Sequence, residues 1–270
     1  MKSILEIVKL STAFLAERKM ERPRRTAEEV VAFVLGLKKM DLYLRFDQPI
    51  VEAELGRIRE LLKRCGKGEP LEYVLGEVEF LGCRIHLDRR VLIPRPETEI
   101  LAEMVAKRVE SGVLWDVCSG SGCLGIALKK ARPDLEVVLS DISADALALA
   151  EENAKLNGAF VEILQGDLLA PFEGRRADWI VCNPPYISEA EYWNLDPSVK
   201  DFEPKLALVG GAKGTEMYER FKESLSRFLK PGGRVFFEIG ASQGGALKKL
   251  FPEGELGLDW AGHSRFFTCQ

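Results

Sequence analysis

The amino-acid sequence predicts an α/β protein in which a mostly parallel β-sheet is preceded by a small helical bundle and a β-hairpin. Three observations support this class. Residues 1–65 carry apolar residues at helical spacing, and residues 73–87 contain short strand-like runs separated by glycines. From residue 113 onward, apolar strands alternate with helices. This alternation is typical of a parallel sheet with helices on both faces.

The predicted elements divide the chain into three parts. Residues 1–68 form the helical bundle, residues 69–95 form a hairpin linker with a further short strand at Tyr73-Val74-Leu75, and residues 96–270 form the sheet domain. Residues 187–214 are weakly patterned, and a loop of this length in a compact domain is typically a functional lid.

The composition fits a well-packed core without a strongly basic surface. Of the 270 residues, 46% are hydrophobic and 30% are charged, and the formal net charge is -4. Proteins that hold nucleic acid by its phosphates usually carry a basic excess, so this charge weighs against a stable nucleic-acid binder. The strongest basic patch is either a solvated connection between helices or a docking surface for an acidic partner. It consists of Arg18, Lys19, Arg22, Arg24 and Arg25.

Cysteine usage and hydropathy indicate a cytoplasmic protein without a structural metal. The six cysteines include no C-x-x-C pair, and only two histidines could add ligands, so no metal site is expected. Several cysteines lie in apolar runs, which suits buried thiols in a reducing compartment. The longest apolar run, residues 30–37, is far shorter than the ~20 residues that a membrane span needs. The N-terminus lacks the apolar core of a signal peptide.

A glycine-rich turn marks the first candidate ligand site. Gly120, Gly122 and Gly125 fulfil the pattern G-x-G-x-x-G between a predicted strand and a helix, which is the context that the motif requires. The glycines allow the backbone to approach a ligand closely, and Asp141 at the end of the next strand can hydrogen-bond a ribose diol. Together they indicate an adenine nucleoside at the switch point of an open sheet. NAD, FAD and S-adenosylmethionine all remain open, as does a purely structural turn.

A second pair, Asp167 and Leu168, follows the third strand of the sheet domain. The carboxylate there could meet the amino group of an adenine, and the leucine could meet its face. Gly-Asp after a strand is also a common turn. Both interpretations of this pair stay open.

The tetrapeptide Asn183-Pro184-Pro185-Tyr186 directly follows an apolar strand, at the carboxyl edge of the sheet where ligands bind. Two consecutive prolines fix φ and remove two backbone donors. The Asn183 side-chain oxygen and the Pro184 carbonyl then form an acceptor pair for the two N–H groups of a planar NH2 group, on which Tyr186 could stack. This arrangement predicts methyl transfer to a planar nitrogen. The alternative is a Pro-Pro turn that only ends a buried strand.

The glycine loop from Asp116, the acidic Asp141 and the tetrapeptide together resemble the amino-methyltransferases of the Rossmann-like S-adenosylmethionine-dependent family. Within it, further motifs are similar to the peptide chain release factor glutamine methyltransferases. These motifs are Gly76-Glu77-Val78-Glu79-Phe80-Leu81-Gly82, Ile93-Pro94-Arg95-Pro96-Glu97-Thr98-Glu99, and Phe202-Glu203-Pro204 with Ala207-Leu208. The helical N-terminus also fits, so the resemblance covers almost the whole chain.

The resemblance implies a seven-stranded sheet, S-adenosylmethionine as methyl donor and S-adenosylhomocysteine as product. It implies that the acceptor is the side-chain amide of the glutamine in the Gly-Gly-Gln motif of class 1 release factors. We expect a monomer whose helical bundle docks this protein substrate. The expected cofactor-binding residues are Asp116, Cys118, Ser119, Gly120, Ser121, Gly122, Asp141, Ile142, Asp167, Leu168 and Asn183. The expected catalytic residues are Asn183, Pro184 and Tyr186, and the expected substrate-binding residues are these three with Pro185, Arg95 and Glu97.

One position departs from the family pattern. The loop of this family usually begins Asp-x-Gly, and Cys118 stands where that glycine would be. The loop can survive if Cys118 keeps a β-like backbone, because only a positive φ would make its Cβ costly.

Other functions stay open on the sequence alone. An amino-methyltransferase acting on adenine or guanine in nucleic acid would use the same acceptor pair, and a relative could modify a glutamine of a ribosomal protein. From a different class, an NAD-dependent oxidoreductase would explain the glycine loop and Asp141. It would leave Asn183 and the prolines that follow it without a role.

Overall fold

The computed structural model describes residues 2–270, which divide into two compact units. The first unit contains the described residues up to Gly76 together with Pro197–Phe202, and the second contains Glu77–Asp196 and Glu203–Gln270. The predicted α/β class, with N-terminal helices, a hairpin and a sheet domain, is confirmed. Within residues 2–270, no helix is long and apolar enough to cross a membrane.

The first unit is a helical bundle around its own apolar core. Its N-terminal helices are α1 (Ile4–Ala16), α2 (Pro23–Leu35), α3 (Lys39–Leu44), α4 (Glu52–Cys65) and α5 (Leu71–Leu75). Ser3 begins α1 with a capping box, in which its hydroxyl accepts from the Glu6 N–H and the Glu6 carboxylate accepts from the Ser3 N–H. Ile4, Leu15 and Val31 are fully buried in the bundle. Apolar burial along one side of each helix therefore stabilises the bundle.

The run Tyr73-Val74-Leu75 is helical, so the predicted strand at this position is wrong. These residues belong to α5, which follows Pro70 and ends at Gly76 with φ of +80°. Glycine adopts this left-handed conformation without steric cost and commonly ends a helix. Burial of Val74 in the bundle core outweighs the strand propensity of so short a run. The helical unit consequently extends past the expected boundary at residue 68.

The predicted β-hairpin is confirmed and opens the second unit. β1 (Glu77–Phe80) pairs antiparallel with β2 (Cys83–His86) across a two-residue turn in which both residues have positive φ. The Asn153 side-chain amide accepts from the His86 N–H at 2.7 Å and donates to the His86 carbonyl at 3.1 Å. The same amide donates to the Ser121 carbonyl at 3.0 Å. One buried side chain therefore holds both the hairpin and the glycine loop.

A seven-stranded sheet forms the centre of the second unit, as predicted. In chain order, the strands of this unit after the hairpin are β3 (Gly112–Val117), β4 (Leu135–Asp141), β5 (Glu162–Gln165), β6 (Ala177–Cys182), β7 (Ile187–Ser188), β8 (Val209–Gly211), β9 (Leu229–Glu238), β10 (Glu255–Leu258) and β11 (Ser264–Cys269). In the described chain, the order across the sheet is β10-β11-β9-β6-β3-β4-β5, and β7 pairs with β8 separately. The strands from β9 to β5 are parallel, and β11 and β10 form an antiparallel edge.

The order of the strands locates the site. After β3 the chain adds β4 and β5 on one side, and it then returns to place β6 on the other side of β3. In open α/β sheets, ligands bind in the crevice at the carboxyl ends of strands where the order reverses. The carboxyl ends of β3 and β6, which lie side by side, therefore mark the expected binding crevice.

Helices pack on the sheet. The remaining helices are α6 (Pro96–Arg108), α7 (Cys123–Ala131), α8 (Ala144–Leu156), α9 (Glu189–Tyr192), α10 (Pro197–Lys200), α11 (Lys205–Leu208), α12 (Glu216–Phe228) and α13 (Gly244–Leu250), of which α10 falls in the first unit. Trp115 of β3 stacks on Phe172 with ring centroids 3.9 Å apart and shares a core cluster with Phe221 of α12. In α7, a Cβ at Gly125 would lie 2.3 Å from Leu139 Cδ2. This glycine therefore allows α7 to pack closely on β4.

Residues 187–214, expected to be a long loop, contain the short elements from β7 to β8. Two glycines bring this segment against the backbone that follows β6. A Cβ at Gly210 would lie 2.1 Å from the Pro185 carbonyl oxygen, and one at Gly214 would lie 2.3 Å from the Tyr186 carbonyl oxygen. Neither position has room for a side chain without a shift of the backbone around the tetrapeptide.

Candidate active site

A cavity of about 240 Å³ lies at the carboxyl ends of the parallel strands. The sequence-predicted residues that line it are Asp116, Cys118, Ser119, Gly120, Ser121, Asp141, Ile142, Asp167, Leu168, Asn183 and Pro185. The predicted residues that the described structure places outside its lining are Gly122, Pro184, Tyr186, Arg95 and Glu97. Thr98, in the first turn of α6, lines the cavity although the sequence indicated no separate role for it.

The glycine loop is bonded back onto the end of β4. The Ser119 N–H donates to the Ser140 carbonyl at 2.9 Å, and the Gly120 N–H donates to Asp141 Oδ2 at 2.9 Å. Gly120 has φ of +53°, and a Cβ built there would meet no atom of residues 2–270 within 4 Å. Since Gly120 lines the cavity, a side chain here would fill space that the glycine leaves to a ligand.

Cys118 has φ of +60°, so the β-like backbone that would spare its Cβ is not present. A left-handed conformation costs a residue with a Cβ roughly 1–2 kcal/mol. The side chain packs against the apolar core cluster of the sheet domain, and this contact offsets part of the cost. The loop therefore keeps the turn that a glycine would adopt, at a steric cost that a glycine would not have.

Asp116 connects the end of β3 to the start of α7. Its side chain is buried, and its Oδ2 accepts from the Gly125 N–H at 2.8 Å. Burial raises the pKa of Asp116 to about 7, and the nearby charge of Asp141 acts in the same direction, while the bond from Gly125 opposes both. A positively charged group beside Asp116 would therefore stabilise the ionised form of its carboxyl group.

We expect Asp116 to lower the stability of the ligand-free protein as the pH rises. Its pKa increases from 3.8 to about 7 on folding, so the fold favours the protonated form. The contribution of Asp116 to the free energy of unfolding is fully present below its unfolded pKa of 3.8 and is lost as the pH rises through its folded pKa of about 7. The free energy of unfolding falls by an amount on the order of 4 kcal/mol over this range. Asp116→Asn keeps an acceptor for the Gly125 N–H and should become more stable than the wild type over this range. Urea denaturation at several pH values checks this, and a difference that stays constant with pH would contradict it.

Asp141 presents a carboxylate to the cavity at the end of β4. Its Oδ1 accepts from the Ser143 N–H at 2.9 Å, while Oδ2 accepts from Gly120. Each carboxylate oxygen can accept a second hydrogen bond, so both remain able to bind ligand hydroxyls. The side chain is thus held in place by the backbone on either side of it, as a ribose-binding carboxylate requires.

Asp167 lies opposite a cation that the sequence did not predict. Its Oδ2 is 2.6 Å from Arg220 Nη2, and both residues line the cavity. Leu168 beside it is nearly buried and packs in the core cluster of the sheet domain. The second Asp167 oxygen can still accept from an adenine amino group, so the ion pair orients the carboxylate without removing its expected role.

Asn183 directly follows β6 and lines the cavity. Its Nδ2 donates to Thr98 Oγ1 at 3.4 Å. Among residues 2–270, its Oδ1 has no hydrogen-bond partner. The amide oxygen is therefore available to accept from a ligand.

A buried carboxyl group, Glu238 at the end of β9, lies behind this asparagine. Thr98 Oγ1 donates to Glu238 Oε2 at 2.7 Å, and the Tyr186 hydroxyl donates to Glu238 Oε1 at 3.3 Å. Burial raises the pKa of Glu238 to about 7 and raises the pKa of the Tyr186 phenol. Tyr186 is thus anchored to Glu238 outside the cavity lining. No short-range signal in the sequence links Glu238 to Thr98, which precedes it by 140 positions.

Arg95 and Glu97 lie at the start of α6 beside the cavity lining. Arg95 forms an ion pair with Glu203, whose other oxygen accepts from the Ile93 N–H at 3.0 Å. Glu97 is half-buried, and its charge adds to burial in raising the pKa of Glu238. Arg95 therefore fixes the entry into α6, which in turn positions Thr98.

The cavity fits S-adenosylmethionine. Carboxyl groups of Asp116, Asp141 and Asp167 line it beside the guanidinium groups of Arg90 and Arg220, and Arg220 is paired with Asp167. The Asp141 carboxylate, which forms no ion pair among the described residues, would attract the sulfonium and ammonium charges of the methyl donor. Ser119 Oγ is buried and has no hydrogen-bond partner in the described structure, so it can bond a polar ligand atom. The glycine loop and Asp141 would hold the nucleoside, with Asp167 near its base.

We expect Asp141→Asn to weaken binding of S-adenosylmethionine and S-adenosylhomocysteine about 10- to 100-fold. The change removes a charged acceptor, and hydrogen bonds to charged groups contribute about 1.5–3 kcal/mol. Isothermal titration with S-adenosylhomocysteine measures the effect. Asp145→Asn, at an exposed position in the first turn of α8, is the matched control and should bind as the wild type does. Unchanged affinity in Asp141→Asn would remove this residue from the site.

Family profiles match two parts of the chain. Residues 96–195 match the Methyltransferase small domain, and residues 6–76 match the PrmC N-terminal domain. The first match lies within the sheet domain, and the second covers most of the helical bundle.

Known relatives match over nearly the whole chain. The release factor glutamine methyltransferase of Geobacter sulfurreducens is 37% identical over 250 residues, which cover 92% of this chain and 88% of that protein. The one from Chlamydia trachomatis serovar D is 38% identical and covers 98% of this chain and 93% of that protein. The one from Chlorobaculum tepidum is 37% identical and covers 99% and 97%.

Solved structures share the fold. The 16S rRNA N2 G1207 methyltransferase of T. thermophilus, solved with AdoMet and guanosine, has a TM-score of 0.52 at 20% identity and covers 72% of this chain and 49% of that one. A methyltransferase from Pyrococcus furiosus has a TM-score of 0.52 at 18% identity and covers 69% and 89%.

The sheet order and the match to the Methyltransferase small domain define a Rossmann-like methyltransferase that uses S-adenosylmethionine. Identity to curated relatives along both units narrows this class. The chain belongs to the family of release factor glutamine methyltransferases. The predicted class and methyl donor are confirmed, and the NAD-dependent oxidoreductase is set aside.

Proposed function

We propose that the protein transfers a methyl group from S-adenosylmethionine to the side-chain amide nitrogen of the glutamine in the Gly-Gly-Gln motif of class 1 peptide chain release factors. Membership of the family supports this acceptor. The observation that supports this chemistry is the orientation of the Asn183 side-chain amide. Its Nδ2 donates a hydrogen bond to Thr98 Oγ1, so its Oδ1 is available to a ligand. That oxygen matches the N–H donors of a carboxamide.

The acceptor site compensates for a weak nucleophile. An amide nitrogen attacks poorly because its lone pair is delocalised into the carbonyl. Asn183 Oδ1 accepts a hydrogen bond from one N–H of the incoming glutamine. The carbonyl of Pro184, a residue outside the cavity lining but next to Asn183, is the proposed acceptor for the other N–H. This pair favours a partly pyramidal nitrogen with its lone pair directed at the methyl group, and orienting reactants in this way can lower the barrier by as much as about 7–11 kcal/mol.

The remaining requirements are modest. When bound, S-adenosylmethionine supplies an electrophilic methyl group on its sulfonium sulfur. Pro184 and Pro185 restrict the backbone that carries the acceptor pair. The amide proton leaves after transfer, when the nitrogen is far more acidic, so the reaction needs no strong base in the cavity.

The test is methylation of a purified class 1 release factor with S-adenosylmethionine carrying a labelled methyl group. Mass spectrometry of the Gly-Gly-Gln peptide should locate the label on the glutamine. A release factor with alanine in place of that glutamine is the control and should take up no label. Label that appears instead on a ribosomal protein or on nucleic acid in a cell lysate would move the activity to that acceptor.

We propose in addition that the helical bundle docks the release factor through its basic patch. Arg24 and Arg25 are ion-paired with Glu28 and Glu29 in α2. Lys19 and Arg22 are exposed, and among the described residues neither has an ion-pair partner. Their charge is available for an acidic surface of the partner.

The double variant Lys19→Glu with Arg22→Glu should raise the KM for a release factor about tenfold at low salt, since each exposed charge contributes up to about 1 kcal/mol. The KM of the same variant for a Gly-Gly-Gln peptide should not change. Lys248→Glu with Lys249→Glu, on exposed positions of α13, is the charge-matched control. Equal changes in KM for protein and peptide would contradict docking through the bundle.

The cytoplasm is the proposed location. The six cysteines are free, which suits a reducing compartment. The net charge of -4 supports a protein partner over a stable nucleic-acid complex. The monomeric state stays a prediction, and sedimentation analysis measures it.

A further inference from the structure

Glu238 is a carboxyl group that the proposed chemistry does not use. It is 1% exposed, and among the described residues it has no ion-pair partner. Burial of an unpaired carboxyl group is costly unless its oxygens receive hydrogen bonds. Both oxygens do receive one, from the hydroxyls of Thr98 and Tyr186. The two residues flank the acceptor site, so the bonds of Glu238 converge on the groups around Asn183.

The hydrogen bonds have a direction that the chemistry of the groups sets. An ionised carboxylate can only accept, so the Thr98 hydroxyl hydrogen must point at Glu238 Oε2, 2.7 Å away. The lone pairs of Thr98 Oγ1 are then left for a donor. Asn183 Nδ2 is that donor, at 3.4 Å. If the Asn183 amide turned over, its oxygen would face the Thr98 oxygen with no hydrogen between them.

We infer that Thr98 and Glu238 are positioning residues, which hold the Asn183 amide with its oxygen toward the acceptor pocket and thereby select a glutamine amide over a glutamate carboxylate. The inference rests on the proposed glutamine acceptor. An incoming amide offers N–H donors to the Asn183 oxygen, whereas a carboxylate offers only acceptors and is repelled. If the Asn183 amide were free to turn, it would present its own N–H groups and would accommodate a carboxylate.

The test compares Gly-Gly-Gln and Gly-Gly-Glu peptides in the full-length protein. The assays are run at a pH well above 7, where Glu238 is ionised. Thr98→Val removes the hydroxyl at nearly constant volume. We expect kcat for the glutamine peptide to fall about tenfold, the loss of one oriented hydrogen bond. We expect the glutamate peptide, a poor inhibitor of the wild type, to inhibit the variant about tenfold better. Thr98→Ser keeps the hydroxyl and should restore both values.

Control variants separate positioning from a structural effect. Thr268→Val removes another buried threonine hydroxyl, on β11 away from the cavity lining, and should change neither value. S-adenosylhomocysteine affinity and the melting temperature report whether each variant is folded. If Thr98→Val does not fold, Thr98→Ala makes the same deletion with a smaller side chain.

The outcomes are distinct. Wild-type discrimination between the two peptides in a folded Thr98→Val or, if that variant does not fold, in Thr98→Ala would overturn the inference. A loss of kcat in Thr98→Ser as large as that in Thr98→Val would overturn it too. A wild type that methylates no glutamine peptide and no release factor would instead overturn the proposed function, independently of any variant. A reduced kcat with relaxed discrimination in Thr98→Val, and recovery in Thr98→Ser, would establish the positioning role.

Discussion

Asn183→Ala should lower kcat for release factor methylation about 10³-fold, while the affinity for S-adenosylhomocysteine changes less than tenfold. The substitution removes the acceptor that orients the glutamine nitrogen, and loss of a single preorganised hydrogen-bonding group at a reacting centre costs about 10²–10³ in kcat. The cofactor keeps the glycine loop and Asp141, which do not depend on this side chain. Steady-state kinetics with labelled S-adenosylmethionine measures kcat, and titration calorimetry measures affinity.

Asn194→Ala is the matched control for this variant. Asn194 is exposed and follows α9, and its side-chain amide donates to the Ala190 carbonyl at 3.2 Å, so loss of this side chain should leave turnover unchanged. Normal turnover by Asn183→Ala would refute the acceptor mechanism. A loss of cofactor binding as large as the loss of turnover would show that Asn183 acts mainly on the cofactor.

Gly210→Ala should lower both stability and turnover, although Gly210 touches no substrate in the proposed mechanism. An added Cβ would lie 2.1 Å from the Pro185 carbonyl oxygen and 3.2 Å from Tyr186 Cα, so the backbone of the tetrapeptide must move. Such overpacking typically costs 1–3 kcal/mol. A displacement of about 1 Å at the acceptor pair can reduce kcat about 100-fold. Thermal unfolding and steady-state kinetics measure the two effects.

Gly245→Ala provides the comparison, because Gly245 lies on the exposed side of α13 and, in the part of the chain that the structure describes, an added Cβ would have ample space. Alanine should be neutral or slightly stabilising there, since it favours helix more than glycine does. If Gly210→Ala behaves like Gly245→Ala in both assays, the tetrapeptide does not depend on this contact.

Much of the fold follows from local patterns. The alternation of apolar strands and helices predicts the parallel sheet, and Gly82 between two short apolar runs predicts the hairpin, because both signals act over a few residues. The predicted strand at Tyr73-Val74-Leu75 is wrong because its conformation is not decided by local signals. So short an apolar run is compatible with strand or helix, and its packing in the bundle decides between them.

The backbone conformation of the glycine loop is a second feature that short-range sequence patterns predict only in part. The spacing of Gly120, Gly122 and Gly125 predicts a tight turn that approaches a ligand. It cannot predict that Cys118 accepts φ of +60°, because the packing that offsets the strain comes from the core cluster beneath it. In the same way, the pairing of Asp167 with Arg220 joins residues that are 53 positions apart.

For the tetrapeptide too, the sequence predicts the kind of turn, whereas distant contacts decide its placement. The residue types Asn183, Pro184 and Pro185 predict an acceptor-rich turn from the sequence alone. Its placement depends on distant groups: Gln243 Nε2 donates to the carbonyls of Tyr186 and Gly214, at 2.9 and 3.0 Å. No short-range signal connects these positions.

By itself, the sequence determined the class of the fold, and it predicts a nucleoside-binding loop and an acceptor site, because each of these depends on residue types at short spacing. Only the tertiary structure decided how Asn183 is turned. That orientation depends on Thr98 and Glu238, which come from α6 and β9 and meet only when the sheet domain has formed. Because a carboxylate only accepts hydrogen bonds, Glu238 fixes the direction of the Thr98 hydroxyl, and that hydroxyl then fixes which side of the Asn183 amide faces it. The direction of each bond is therefore defined only when the buried carboxylate is in place.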